Sequence, residues 1–304
     1  MIGLGRMGAG MRERLRAAGH EVIGYDPRPE VTDVDSLTAL AAALAPPRTV
    51  WVMVPAGEPT RATVRALADL LTPDDLVIEG GNSRYTDDVP NAELLAGKGI
   101  GYLDVGVSGG VWGRDNGYGL MAGGALEHIH RAMPIFDALR PAGPREQGFA
   151  HAGPVGAGHF AKMVHNGIEY GLMQAYAEGY ELLTATELIT DVPAVMRAWS
   201  RGTVVRSWLL DLLVRALHED PGLAALTDHV DDSGEGRWTL EEAITRAVPL
   251  PVISAALFAR FTSRQESSPA MRAVAALRHQ FGGHAVQHAA GPTGAADASA
   301  CRTS

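Results

Sequence analysis

The chain has 304 residues, enough for two domains with separate cores, and its 46% hydrophobic and 20% charged content is that of a water-soluble globular protein. A net charge of −9 argues against a nucleic-acid partner, whose phosphates call for a basic excess. A single cysteine, Cys301, excludes a disulfide framework or a thiolate metal site within one chain; with no basic-then-apolar leader and no membrane-length apolar run, the expected setting is cytoplasmic, without a membrane partner.

From the N-terminus, short β-branched runs alternate with helical patterns. Strands are predicted at 2–4, 21–25, 49–54, 76–79, 101–105 and 119–122, with helices at 7–18, 35–44, 60–71 and 91–97. The alternation reads as a parallel sheet with helices on both faces, an α/β Rossmann-like dinucleotide-binding domain over residues 1–153. The chain enters its first glycine loop almost at once. The first strand is therefore expected to be short of ladder hydrogen bonds, as though the chain started a few residues late.

Gly3-Leu4-Gly5-Arg6-Met7-Gly8 is a G-x-G-x-x-G loop between a strand and a helix. Gly3 serves the tight turn, Gly5 lets a pyrophosphate approach the backbone, and Gly8 permits close helix–sheet packing. The helix N-terminus offers free N–H groups to the phosphates. Asp26 ends the second strand, where an acid accepts the ribose hydroxyls and repels a 2′-phosphate. NAD is therefore the expected cofactor, with NADP possible because Arg28 follows closely. Val54 and Asn82, near the ends of later strands, complete the expected cofactor contacts.

Glu79-Gly80-Gly81-Asn82-Ser83 follows a strand on the side where ligands bind in open α/β sheets. Asp104-Val105-Gly106-Val107-Ser108-Gly109-Gly110 is a second glycine-rich turn, in which Ser108 and the Gly109 and Gly110 N–H groups suit a carboxylate. From Pro154 the texture changes to long helical patterns at 157–188, 192–200, 207–219, 240–247, 251–263 and 269–281. An all-α C-terminal domain is expected over 154–288, followed by a disordered tail, 289–304, of small and polar residues.

The first of these long helices carries Lys162, His165, Asn166 and Glu169 at offsets of zero, three, four and seven. At about 100° per residue the four project within an arc of roughly 100°. An amine and a carboxyl group on one face can serve as base and acid on one small molecule.

Taken in order, Gly80-Gly81-Asn82-Ser83, Val107-Ser108-Gly109-Gly110, Lys162 through Tyr170, Gly236-Arg237-Trp238-Thr239, Phe258-Ala259-Arg260 and Phe281-Gly282-Gly283-His284 give the chain a clear resemblance. It resembles the short form of the decarboxylating 6-phosphogluconate dehydrogenase family, within the β-hydroxyacid dehydrogenase superfamily. The resemblance implies oxidation of 6-phosphogluconate at C3 and loss of C1 as CO2. Lys162 matches the base at C3 and Glu169 the acid that protonates C1. Asn82, His165 and Asn166 match substrate-hydroxyl contacts, and Ser108, Gly109 and Gly110 match carboxylate contacts. Tyr170, Arg237, Thr239 and Arg260 match phosphate contacts. Arg278 and His284 match a pair donated by a neighbouring subunit, which implies a homodimer or homotetramer. The reaction needs no metal, and no H-E-x-x-H or clustered carboxylate ligand set stands out in the sequence. Two other readings stay open: a non-decarboxylating relative acting on 3-hydroxyisobutyrate or tartronate semialdehyde, and an inactive nucleotide-binding regulator.

Overall fold

The computed structural model describes residues 1–287. The predicted tail at 289–304, together with His288, lies outside the described residues. In chain order the elements are α1 (Arg6–Ala17), α2 (Leu37–Ala43), β1 (Thr49–Val52), α3 (Glu58–Leu70), β2 (Leu76–Glu79), α4 (Asp88–Ala96), β3 (Gly101–Ser108), α5 (Gly113–Asn116), β4 (Gly119–Gly124), α6 (Leu126–Leu139) and β5 (Phe149–Gly153). The helices α7 (Ala157–Thr184), α8 (Val192–Trp199), α9 (Trp208–Glu219), α10 (Glu235–Thr245), α11 (Pro251–Ser263) and α12 (Pro269–Gly282) follow. Among the described residues, no helix is long and apolar enough to cross a membrane.

The strands lie in the order β1-β2-β3-β4-β5. Ile2 extends this sheet through single bridges to Val52 on one side and Tyr25 on the other. The predicted strand 21–25 thus contributes one bridged residue, because its partner segment before the glycine loop is only Met1–Gly3. Alternation within the strands splits the apolar side chains between two faces. Trp51, Leu76, Ile78 and Leu103 pack on one side with α1 and α6. Val50, Val52, Val77 and Tyr102 pack on the other with residues of α2, α3 and α4. Both faces of β2 are covered, so all four of its residues are buried. Each large apolar side chain buried this way contributes about 1.5–3 kcal/mol.

The sheet is not wholly parallel as predicted: β3 and β4 run antiparallel, with Leu103 opposite Gly124 and Ser108 opposite Gly119. The segment between them is shorter than the dozen or so residues that a parallel crossover needs. The helix α6 and the strand β5 were not predicted. Pro134 inside α6 breaks the sequence signal, although its ring is accommodated within the helix.

Local chemistry sets several helix starts. Ser36, Asp191, Ser207 and Ser268 each accept an N–H of the first turn of α2, α8, α9 and α12. A small helical core gathers Val192, Met196, Leu210 and Leu217 against Tyr176, Tyr180 and Leu183 of α7. Residues 1–227 and 232–259 form one compact unit. Of the described residues, 228–231 and 260–287 belong to a second unit; within it Arg260 donates to the Asp231 carbonyl at 3.1 Å and the Ser263 hydroxyl accepts the Val230 N–H at 3.0 Å.

Candidate active site

The glycine loop divides its labour as the sequence suggests. Gly3 has φ +85°, and a Cβ there would stand 2.4 Å from the Met53 carbonyl oxygen; a Cβ on Gly8 would stand 2.0 Å from that of Gly3. A Cβ on Gly5 would meet nothing within 4 Å. That open cradle, at the start of α1 where no side chain caps the helix, fits a pyrophosphate held by backbone N–H groups and the helix dipole. Arg6, Met7, Asp26, Arg28 and Val54 line the same cleft. Leu4 does not: its side chain is in the core, and its N–H donates to Asp26 Oδ2 at 2.8 Å.

Asp26 is buried, and Arg28 closes on it. The Arg28 Nε and backbone N–H reach Oδ1 at 2.8 and 3.1 Å, and Nη2 reaches Oδ2 at 3.1 Å. The Arg28 hydrogen bonds hold the carboxyl well below the usual range, with help from the Leu4 N–H and against burial.

The second strand delivers Asn82. Glu79, at the end of β2, accepts the Gly81 N–H at 2.7 Å and so folds the loop back. Side chains would not fit there: a Cβ on Gly80 would lie 2.3 Å from Trp51 Nε1, and one on Gly81 2.9 Å from the Val54 carbonyl. Ser108 ends β3. Gly109 and Gly110 then turn with φ +131° and +54°, in the left-handed region that only glycine enters readily.

The strand β3 seats α7. Asp104 on β3 accepts the N–H groups of Gly156 and His159 at 2.7 and 2.9 Å, an N-terminal cap supplied from the sheet. Gly106 on β3 allows the helix to lie close, since a Cβ there would stand 2.4 Å from Lys162 Cβ and 2.8 Å from the Gly158 carbonyl. Lys162 is thereby held half-buried over the end of the strands. Burial pushes its ammonium below the ordinary lysine value, against the charges of Glu169 and Glu235.

The predicted face of α7 converges on one point. His165 Nδ1 lies 3.5 Å from Lys162 Nζ, 3.1 Å from Asn166 Oδ1 and 3.9 Å from Glu169 Oε2. Its Nε2 lies 3.3 Å from the Ser108 hydroxyl, and the Asn166 amide donates to Asn82 Oδ1 at 3.3 Å. Lys162, His165, Asn166 and Glu169 share the cleft with Asn82, Ser108, Gly109, Gly110 and the glycine loop.

Other predicted residues are placed elsewhere. Tyr170 is buried, and its hydroxyl accepts the Ser233 N–H at 3.4 Å. Thr239 is buried under α7, its hydroxyl 3.0 Å from the Met163 carbonyl and 2.8 Å from that of Glu235. It fastens α10 to α7 at Gly167, where a Cβ would stand 2.9 Å from Thr239 Cγ2. Arg237 forms a two-pronged ion pair with Asp232 at 2.8 and 2.9 Å. None of these three lines the cleft. Arg260, Arg278 and His284 belong to the second compact unit, in which His284 accepts His279 Nδ1–H at its carbonyl, 3.0 Å away.

Sequence reasoning missed two features. One is an apolar wall of the cleft, Trp112 with Trp208, Leu209 and Leu212 of α9, where Arg215 stacks over the Trp112 ring at 4.8 Å. The amphipathic spacing of α9 was legible, but the cleft it faces was not. The other is a buried polar group, Glu79, Asp88 and His159, whose ligand-type atoms all lie within 4.8 Å of one another. No local spacing signals it, because its members come from β2, α4 and α7.

Residues 1–142 match the family profile described as the NAD binding domain of 6-phosphogluconate dehydrogenase, and residues 158–292 the one described as its C-terminal domain. The NAD(+)-dependent, decarboxylating 6-phosphogluconate dehydrogenase of Haloferax volcanii is 40% identical over 94% of this chain and 97% of its own length. A Bacillus subtilis protein of the same description is 33% identical over 86% of this chain but only 60% of its own length. Among solved structures, Plasmodium falciparum 6-phosphogluconate dehydrogenase superposes with a TM-score of 0.78 at 26% identity, covering 92% of this chain and 64% of that one. A Mycobacterium tuberculosis 3-hydroxyisobutyrate dehydrogenase shares the fold, with a TM-score of 0.67 at 24% identity.

Proposed function

The chain belongs to the 6-phosphogluconate dehydrogenase family, and we propose that it catalyses the oxidative decarboxylation of 6-phosphogluconate to ribulose 5-phosphate and CO2 with reduction of NAD. The observation that carries this reading is the convergence of Lys162, His165, Asn166, Glu169, Asn82 and Ser108 on one cleft with an open glycine cradle. A bound nicotinamide supplies the hydride acceptor for C3. The residues that would hold the dinucleotide are Gly3, Gly5, Arg6, Met7 and Gly8, with Asp26, Arg28, Val54 and Asn82, while Leu4 acts through Asp26. The Asp26 carboxylate favours NAD, and Arg28 beside it leaves a weaker use of NADP.

Lys162 takes the C3 hydroxyl proton. Its burial supports this role by favouring the neutral amine. Once protonated, it faces the C3 carbonyl oxygen and stabilises the enediolate that loss of CO2 creates. Glu169 then protonates C1. Asn82, His165 and Asn166 bind the substrate hydroxyls, and Ser108 with the Gly109 and Gly110 N–H groups binds the carboxylate. The phosphate is assigned to the cations Arg237 and Arg260, with Arg278 and His284 supplied by a neighbouring subunit of a homodimer or homotetramer, while the buried Tyr170 and Thr239 hydroxyls support the site from the contacts they make with Ser233, Met163 and Glu235. Arg suits two-pronged phosphate binding, and Arg237 exchanges Asp232 for it.

We divide the chain into a nucleotide domain, 1–153, and a helical substrate and oligomerisation domain, 154–288; the two matched profiles fall on either side of this boundary. A cytoplasmic setting follows from the reaction. The test is an assay of the purified protein with 6-phosphogluconate and each cofactor, following CO2. Turnover with NAD exceeding that with NADP is expected. Turnover of 3-hydroxyisobutyrate but not 6-phosphogluconate would sink the proposal.

A further inference from the structure

Beneath the cleft lies a polar cluster that the reaction above leaves unused. His159 stands on α7 one turn before Lys162 and is 1% exposed. Its Nδ1 lies 3.0 and 2.9 Å from the two carboxylate oxygens of Asp88, and Asp88 also accepts the Tyr102 hydroxyl at 2.8 Å. On the ring's other edge, His159 Nε2 faces Glu79 Oε2 at 3.5 Å. Neither of these two atoms has a hydrogen-bond partner, and both are wholly buried. The other oxygen of Glu79 accepts the Gly81 N–H at 2.7 Å. Asp104, which pairs in register with Glu79 across β2 and β3, accepts the backbone N–H of His159.

Three carboxylates in an apolar interior call for a cation. Burial alone would push the imidazole toward its neutral form. The charges of Glu79, Asp88 and Asp104 outweigh burial and push it up to about 9. Burial pushes Asp88 up to about 6, against the pull of His159. The ring and the Asp88 carboxylate are therefore charged together near neutral pH, with Tyr102 as a neutral donor at the edge.

We propose that His159 is a positioning residue: through Glu79 it ties the loop Gly80–Asn82 to the helix carrying Lys162, and so sets Asn82 and Lys162 in register on the substrate. This rests on the reaction proposed above. The chain of contacts is short: Asn82 follows Gly81, whose N–H is held by Glu79, whose other oxygen faces His159 across an ion-pair distance of 3.5 Å. The glycine loop at Gly3–Gly8 is outside this chain and Asn82 is one cofactor contact among several, so disturbing His159 acts mainly on the substrate.

Wild-type turnover of 6-phosphogluconate with NAD first tests the reaction itself. Given that turnover, His159→Gln is expected to lower kcat/KM for 6-phosphogluconate by about 100-fold, as a misplacement near 1 Å does, while the NAD Kd stays within about twofold. Glu79→Gln keeps an oxygen for the Gly81 N–H but removes the charge facing His159, and a loss of about tenfold is expected. The double variant is expected to be no worse than His159→Gln, because both act through one link. A folded His159→Gln with kcat/KM within about twofold of wild type would overturn the proposal, as would additive losses or an equal loss of NAD affinity. If His159→Gln does not fold, Glu79→Gln and the nitrogen NMR spectrum of wild-type His159 decide. A ring protonated at neutral pH and titrating near 9 supports the proposal; a neutral ring at pH 7 overturns it.

Discussion

Gly106→Ala tests whether close packing of α7 on β3 places Lys162, the proposed base. Gly106 pairs with Met121 in an ordinary antiparallel ladder, so the backbone tolerates alanine and the effect is purely steric. The added Cβ would lie 2.4 Å from Lys162 Cβ, where ordinary contact begins at 3.4 Å, and 2.8 Å from the Gly158 carbonyl oxygen. Neither neighbour is the free end of a flexible side chain, so α7 must lift by about 1 Å at Lys162. Overpacking of this kind costs about 1–3 kcal/mol of stability, and a 1 Å error in a reacting group costs about 100-fold in rate. The assay is kcat/KM for 6-phosphogluconate beside the NAD Kd and a urea unfolding curve. The Kd is expected to hold, since the glycine loop does not touch Gly106. Gly179→Ala, further along α7 with nothing within 4 Å of its Cβ, is the control and is expected to stabilise by about 0.5–1 kcal/mol. A folded Gly106→Ala enzyme with kcat/KM within about threefold of wild type would refute the packing argument.

Gly5→Val is expected to leave thermal stability unchanged, because its Cβ meets nothing within 4 Å, but to weaken NAD binding by about tenfold or more by filling the pyrophosphate cradle; calorimetric titration with NAD reads this directly. Lys162→Met should lower kcat by about 10²–10⁴-fold with NAD binding intact. In the wild type, kcat/KM should fall as pH drops through the lowered Lys162 value, below the ordinary 10.5, because the base must be neutral; a pH–rate profile flat across that range would remove Lys162 from the role. Glu169→Gln should slow product formation by about 100-fold with little change in the KM for 6-phosphogluconate. Stability should also fall with alkali: the folded His159 value is raised from 6.5 to about 9, so its contribution is complete below 6.5 and gone above about 9. The loss is on the order of 3 kcal/mol, read as a drop in Tm across that window that His159→Gln lacks.

What the sequence made legible was whatever a short local period encodes. The G-x-G-x-x-G spacing carried three glycines with three distinct steric duties, and each duty appears in the contacts a Cβ would make. The α7 face was legible because 3.6-residue periodicity fixes which side chains share a side. The antiparallel β4 was not, since strand direction depends on how the intervening segment folds. Nor was the group Glu79, Asp88 and His159, which meets only once three elements are packed. Thr239 marks the limit of motif reading. Its place in Gly236-Arg237-Trp238-Thr239 suggested a phosphate contact, yet its buried hydroxyl meets the Met163 and Glu235 carbonyls, where α10 locks onto α7.

The seven residues between Lys162 and Glu169 raise the question of how one helix can carry both the base proposed for C3 and the acid proposed for C1. Two turns rise about 10 Å, too far for a direct proton exchange between the two groups. The structure answers with the residue between them. His165 Nδ1 is 3.5 Å from Lys162 Nζ and 3.9 Å from Glu169 Oε2, so both long side chains lean toward the same imidazole. Asn166 and Ser108 hold that ring at its Nδ1 and Nε2 edges. A helix face with only the two terminal groups would leave them at separate levels. With His165 between them, and α7 pinned to the sheet by Asp104 and Gly106, the proposed base and acid lean toward one point while the helix itself stays regular.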